Sequence, residues 1–169
     1  MKYIVDAPEL KDTLALIFNI ALNSQNWRLI KNNNQMFFKL FCHGKNNQPE
    51  PFISGIVHDL VLNLRNKSNG LFNLPITEIG VGCKDASLQD WAHTDTMSND
   101  LCRIFTVLNP EWDYENNGGS FILKNEEIRL KYGEFLVFDP GTLHQGAEVK
   151  GQNKRFTLDI SLHKNLIMW

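Results

Sequence analysis

The stretch Lys154-Arg155-Phe156-Thr157-Leu158-Asp159-Ile160-Ser161-Leu162 alternates strictly between polar and apolar side chains from Arg155 onward. In an extended chain successive side chains point to opposite faces. Phe156, Leu158, Ile160 and Leu162 therefore share one face, and Arg155, Thr157, Asp159 and Ser161 the other. Shorter candidate strands, most of them with period-two character, precede it at 76–81, 88–95, 103–108, 120–123, 127–131, 134–138 and 145–149, separated by Gly, Asn, Asp or Pro. Eight such strands in one half of a chain predict an antiparallel sandwich or jelly roll.

The region ahead of these strands has a different period. Leu10, Leu14, Ile17, Phe18 and Ala21 recur at helical spacing, with Asp6 as the expected cap and Glu9 at the capping-box position. A second helix is expected after Pro51, with Ile53, Ile56, Val57, Leu60 and Leu64 on one face and a stop at 66–70. Extended pieces are expected at 27–30 and 35–41, and turns at the Asn runs 32–34 and 46–47. The fold class is mainly β with flanking N-terminal helices (α+β). One domain spans 1–169, with a helical support region at 1–70 and a β core at 71–163.

Composition limits the function classes. The 169 residues are 43% hydrophobic and 21% charged, enough for one domain with a real core. Seventeen basic against nineteen acidic residues leave a formal charge of −2, so no general grip on a polyanion is expected and nucleic acid is not the expected partner. No run of about 18 apolar residues predicts a membrane span, and the charged start argues against a signal peptide. Three widely spaced cysteines, Cys42, Cys83 and Cys102, are odd in number and point to reduced thiols in a cytoplasmic setting.

The candidate chemistry begins at Trp91-Ala92-His93-Thr94-Asp95. Residues two apart on a strand face the same side, about 6.5–7 Å apart, so His93 and Asp95 can reach one ion. Alone, His-x-Asp is a common chance pattern and an exposed polar strand end is the bland alternative. His144 strengthens it, because it follows an apolar strand and the Pro140-Gly141 turn and so sits at a strand mouth. Two histidines and a carboxylate form a set that leaves coordination positions open, suited to non-haem Fe(II); zinc uses similar ligands in hydrolases. Arg155, opposite the apolar stripe, has the planar fork that grips a carboxylate, and Thr157 adds a hydroxyl on the same face.

These residues resemble the 2-oxoglutarate/Fe(II)-dependent oxygenases, whose core is a double-stranded β-helix, a cupin-like barrel. The resemblance spans 76–162 and is nearest to the prolyl 4-hydroxylase-like branch. Arg103-Ile104-Phe105-Thr106-Val107-Leu108-Asn109 is similar to that branch's R-x-x-T strand ending in L-N, and Gly118-Gly119-Ser120-Phe121 to its G-G-x-x-F/L strand. Gly133-Glu134-Phe135-Leu136-Val137-Phe138 precedes the distal His as the family's G-x-x-x-x-F segment does. The resemblance implies that His93, Asp95 and His144 hold Fe(II) and that Arg155 and Thr157 bind 2-oxoglutarate. O2 would be the oxidant and ascorbate the candidate reductant, with succinate and CO2 released as a peptide, protein or amino-acid side chain is hydroxylated. Many prolyl hydroxylases carry a Tyr ahead of the G-x-G. Ile79 stands there, and Thr106 or another hydroxyl is expected to replace its contact to the cosubstrate. Trp91, Arg103 and Trp112 are the candidate substrate contacts.

Other readings compete. The same centre acting on a nucleobase would have a second arginine shortly after Arg155 and an N-x-Y block upstream, and neither is present; a small metabolite remains a possible substrate class. A non-catalytic jelly-roll binding module would retain its function without Asp95. Cupins use His-x-His plus Glu, and Thr94-Asp95 supplies no second His. His43, His58 and His163 are expected at the surface, and Cys83 and Cys102 in the core.

Overall fold

The computed structural model describes residues 1–32, 35–43, 50–68, 72–95 and 100–164. Seven antiparallel strands form the larger sheet, named here in chain order: β1 (Lys2–Asp6), β2 (Arg28–Lys31), β3 (Met36–His43), β4 (Phe72–Lys84), β5 (Leu101–Val107), β8 (Glu134–Phe138) and β10 (Arg155–Lys164). Their order across the sheet is β1-β8-β5-β10-β4-β3-β2. A smaller sheet of β6 (Phe121–Leu123), β7 (Glu126–Ile128) and β9 (His144–Gly146) runs β7-β6-β9. β10 lies at the centre of the larger sheet. It pairs with β4 on one side and β5 on the other.

Two helices, α1 (Lys11–Asn23) and α2 (Pro51–Lys67), cover the outer face of the larger sheet. Leu14, Ile17 and Ala21 of α1 and Ile53, Val57, Leu60, Val61 and Leu64 of α2 are buried. They form one cluster with Ile79, Val81, Ile104, Leu158 and Ile160 of the sheet. Each fully buried aliphatic side chain contributes roughly 1.5–3 kcal/mol, which offsets the ordering of strands that are short on their own. A second cluster lies between the sheets: Phe105, Val107, Leu136 and Phe138 meet Phe121, Leu123, Ile128 and Leu130. Cover on both faces explains why Phe135-Leu136-Val137-Phe138 is continuously apolar.

Several local expectations change. The first helix does not open at Asp6. That residue ends β1, pairing with Glu134; the chain then turns through a 3-10 segment, Pro8–Leu10, before α1 begins. Glu9, freed of a capping role, pairs with Lys67 at 2.5 Å. The extended pieces expected at 27–30 and 35–41 form β2 and β3, and with the unexpected β1 they join the larger sheet, so the support region is helical only in part. The strand expected over 88–95 forms only isolated bridges, Gln35 to Asp90 and His93 to His144. The Asn pairs at 33–34 and 46–47 and the end of the expected helix stop, 69–70, lie outside the described residues. A short helix, α3 (Tyr114–Asn117), capped by Asp113, precedes Gly118-Gly119. Both glycines have positive φ, 60° and 73°.

Candidate active site

Backbone pairing, not a continuous strand, places His93. Residues 93 and 144 exchange both N–H···O bonds at 2.9 Å, and Asp95 N–H donates to Pro140 O at 3.0 Å. The 93–95 segment therefore lies alongside β9, on the edge of the smaller sheet. The ligating atoms of His93, Asp95 and His144 all lie within 4.8 Å of one another, with both histidines buried. His144 is wedged between Phe121, stacked at 5.6 Å, and Phe138, edge-on at 5.2 Å.

The hydrogen bonds assign the ring nitrogens. His93 Nδ1 bonds Trp91 O at 2.6 Å, and His144 Nδ1 bonds Thr142 O at 2.7 Å. A carbonyl only accepts, so each Nδ1 carries the hydrogen and each Nε2 offers a lone pair when neutral. The Gln35 amide nitrogen meets His93 Nε2 as a donor would. His144 Nε2 stands 3.2 Å from Asp95 Oδ2 and His93 Nε2 3.6 Å from Oδ1. Lone pairs aimed at a carboxylate require a cation among them, either a proton or a metal. Burial by itself would raise the Asp95 pKa; hydrogen bonds from His144 and His93 and the charge of Arg103 outweigh it and hold this carboxyl far below its ordinary value. For His93, burial opposes the charge, but hydrogen bonds to Asp95 and Trp91 O and the charges of Asp90 and Asp95 push its pKa up. The donor set fits a divalent transition metal with open positions.

Across the same pocket lies the polar face of β10. Arg155 is 4% exposed, and its Nη1 donates to the carbonyls of Gly119 and, at 3.3 Å, Ser120. Its Nε is buried without a partner, and among the described residues it forms no ion pair. Burial accordingly pulls its pKa down. A side chain on Gly119 would meet Arg155 Cδ at 3.2 Å, so the glycine there admits the guanidinium. Thr157 pairs with Gly82, where a Cβ would come within 2.8 Å of Thr157 Oγ1. Asp159 also lines the pocket; burial raises its carboxyl above the ordinary value, against the pull of Arg103 and Lys39.

The remaining candidates separate. Thr106 pairs with Leu158, shares its helix-side face, is fully buried, and donates to Glu134 O at 2.7 Å. It therefore points away from the pocket, and the expected cosubstrate contact is corrected. Ile79 pairs with Ile160 in that same outer core. No pocket contact is lost at Ile79, because β4 turns Gly82 and Lys84 inward instead. Arg103 lines the pocket, but its Nη1 is 2.5 Å from Asp95 Oδ2 and its Nη2 reaches Ser161 Oγ at 3.4 Å. Trp91 is 48% exposed beside His93. Trp112 packs on the inter-sheet core and donates to Gly118 O, outside the pocket. Cys42, Cys83 and Cys102 are buried free thiols; His58 and His163 are half-buried, and the side chain of His43 lies outside the described residues. Sequence reasoning missed Lys84, Asp90 and Gln35, all pocket-lining. An unpaired Lys inside an apolar strand end was the one available signal.

No family model matches this sequence, and no curated protein does. Solved structures do match. A viral collagen prolyl hydroxylase from Paramecium Bursaria Chlorella virus-1, in its 2-oxoglutarate complex, aligns over 96% of this chain and 96% of its own, at TM-score 0.69 and 13% identity. The fold is theirs: a double-stranded β-helix. A 2OG-Fe(II) oxygenase family oxidoreductase from Burkholderia pseudomallei gives TM-score 0.73 at 15% identity, covering 95% of this chain and 85% of that one. A prolyl hydroxylase from Trichoplax adhaerens, in complex with a hypoxia inducible factor peptide fragment, gives 0.69 at 15%, covering 96% and 83%. This double-stranded β-helix thus sets a His-Asp-His cluster and a buried arginine into one pocket between its sheets.

Proposed function

We propose that this chain is an Fe(II)- and 2-oxoglutarate-dependent oxygenase that hydroxylates a peptide, protein or amino-acid side chain, with prolyl substrates the first choice. The observation that carries this reading is the pairing in one pocket of three converging cation ligands with a buried guanidinium lacking an anionic partner. His93, Asp95 and His144 would hold the iron, and Arg155 the distal carboxylate of 2-oxoglutarate with Thr157 beside it. Bound together, the metal and cosubstrate supply the oxidising power, taken from O2 with release of succinate and CO2.

The protein's own part is placement. Trp91 O and Thr142 O hold the imidazoles with Nε2 inward. Arg103 keeps the Asp95 carboxylate ionised and oriented. Phe105 and Phe121 line the pocket and limit water around the ligand set. Trp91, exposed beside His93, and Arg103, on the pocket wall, would be the substrate contacts. A peptide substrate is favoured because the Trichoplax neighbour was solved with one. Three buried free thiols suit a reducing, cytoplasmic compartment, with ascorbate as the reductant, and no helix among the described residues is long and apolar enough to cross a membrane.

The test is anaerobic visible spectroscopy of metal-free protein given Fe(II) and then 2-oxoglutarate. A weak charge-transfer band is expected, lost in His93→Ala and reduced in Arg155→Ala, followed by succinate release with proline peptides. Iron binding with no band would rule out the cosubstrate; no metal binding would leave the binding-module reading.

A further inference from the structure

The pocket holds a second buried cation. Lys84 ends β4 directly across from Arg155 and is 6% exposed. Its Nζ has two partners, Asp90 Oδ2 and Gly146 O, each at 3.4 Å, longer than an ordinary N–H···O bond. Asp90 is itself engaged elsewhere: Oδ2 accepts the Gly146 N–H at 2.9 Å, and Oδ1 is buried without a hydrogen-bond partner. Asp159, the other carboxylate on the polar face of β10, faces Arg103 and Lys39 and is pushed toward its neutral form by burial, so Asp90 alone stands beside the two cations and a positive charge is left uncompensated in a buried place, a costly arrangement unless a ligand completes it.

Gly146 lets these charged groups gather on one wall of the pocket. A Cβ built on it would lie 2.9 Å from Arg155 Nη2, 3.3 Å from Asp90 Oδ2 and 3.4 Å from Lys84 Nζ. Three charged side chains thus pack against one glycine, where any larger residue would push them apart. A structural Lys-Asp pair would close to normal contact distance and would leave the partnerless Arg155 Nε unexplained.

We propose that Lys84 and Arg155 together bind the distal carboxylate of 2-oxoglutarate, with Asp90 as the counter-ion that holds Lys84 in place. One carboxylate cancels the single excess charge, so the site selects a keto acid with an anionic far end. This rests on the oxygenase reading above and adds to it a second cosubstrate-binding residue.

The experiment is calorimetric titration of the Mn(II)-loaded protein with 2-oxoglutarate and with 2-oxopentanoate, which lacks the distal carboxylate. Lys84→Met is expected to weaken 2-oxoglutarate binding at least about tenfold, the scale of one charge-assisted hydrogen bond. It should leave 2-oxopentanoate binding unchanged, and Lys84→Arg should restore most of the loss. Lys84→Gln, a second variant should Lys84→Met not fold, should weaken 2-oxoglutarate binding in the same way. Equal losses for both keto acids, or wild-type affinity in Lys84→Met, would overturn the role of Lys84 while leaving the oxygenase reading in place. Failure of the wild-type protein to bind 2-oxoglutarate at all would overturn both.

Discussion

Replacing Arg155 by Met should separate cosubstrate binding from stability, because this guanidinium is placed for a ligand more than for the fold. Its Nη1 bonds two carbonyls, Gly119 O and Ser120 O. Ser120 O has another donor, Ala147 N–H at 2.8 Å, so the substitution strips only Gly119 O of its partner. An orphaned buried carbonyl costs about 1–3 kcal/mol. Against this, Met removes a buried charge that has no carboxylate in contact, and desolvating such a charge costs several kcal/mol. The stem of Met fills much of the space of the Arg stem. The two effects oppose each other, so unfolding free energy should stay within about 2 kcal/mol of wild type. A bidentate, charge-assisted contact to a carboxylate is worth about 3 kcal/mol or more, so 2-oxoglutarate affinity should fall at least about a hundredfold. Urea unfolding of the metal-free protein and calorimetric titration of the Mn(II) form read the two quantities separately. Wild-type affinity in this variant, or a loss of stability above about 5 kcal/mol, would refute the assignment of Arg155 as a ligand residue.

Three further outcomes follow from the geometry. Thr106→Val removes the donor to Glu134 O on the helix side, so it should cost about 0.5–1.5 kcal/mol in denaturant unfolding while leaving 2-oxoglutarate affinity unchanged; a binding defect would contradict the face assigned to Thr106. Phe121→Ala empties a site among Phe105, Phe138 and His144, so a loss of about 3–5 kcal/mol and weaker metal binding are expected, the second because His144 loses its stacked neighbour. Burial, opposed by Asp90 and aided by Arg155, lowers the Lys84 pKa to about 8. Binding an anion raises it again, so 2-oxoglutarate affinity measured by calorimetry should be flat below pH about 8 and fall above it by up to about tenfold per unit, with no such fall in Lys84→Met. The sign for stability is the opposite. The unfolded Lys84 holds its proton up to its ordinary value, so the unfolding free energy contributed by Lys84 rises with pH across the window above about 8.

The amino-acid sequence alone determined that β10 has two faces, that His93, Asp95 and His144 are candidate ligands, and that two helices lie in the first 70 residues. Alternation and spacing are local properties, written in neighbouring side chains whatever the rest of the chain does. Which face looks inward is not local. Thr106 and Ile79 point into the outer core because cross-strand pairing with Leu158 and Ile160 places them beneath α1 and α2. β1 has no apolar alternation of its own strong enough to read, and it becomes a strand by pairing with β8. His93 gains its position from reciprocal bonds with His144, fifty-one residues away in sequence. Only tertiary structure brings Lys84, Asp90 and Gly146 beside Arg155, because three separate segments must pack before their charges share one desolvated space.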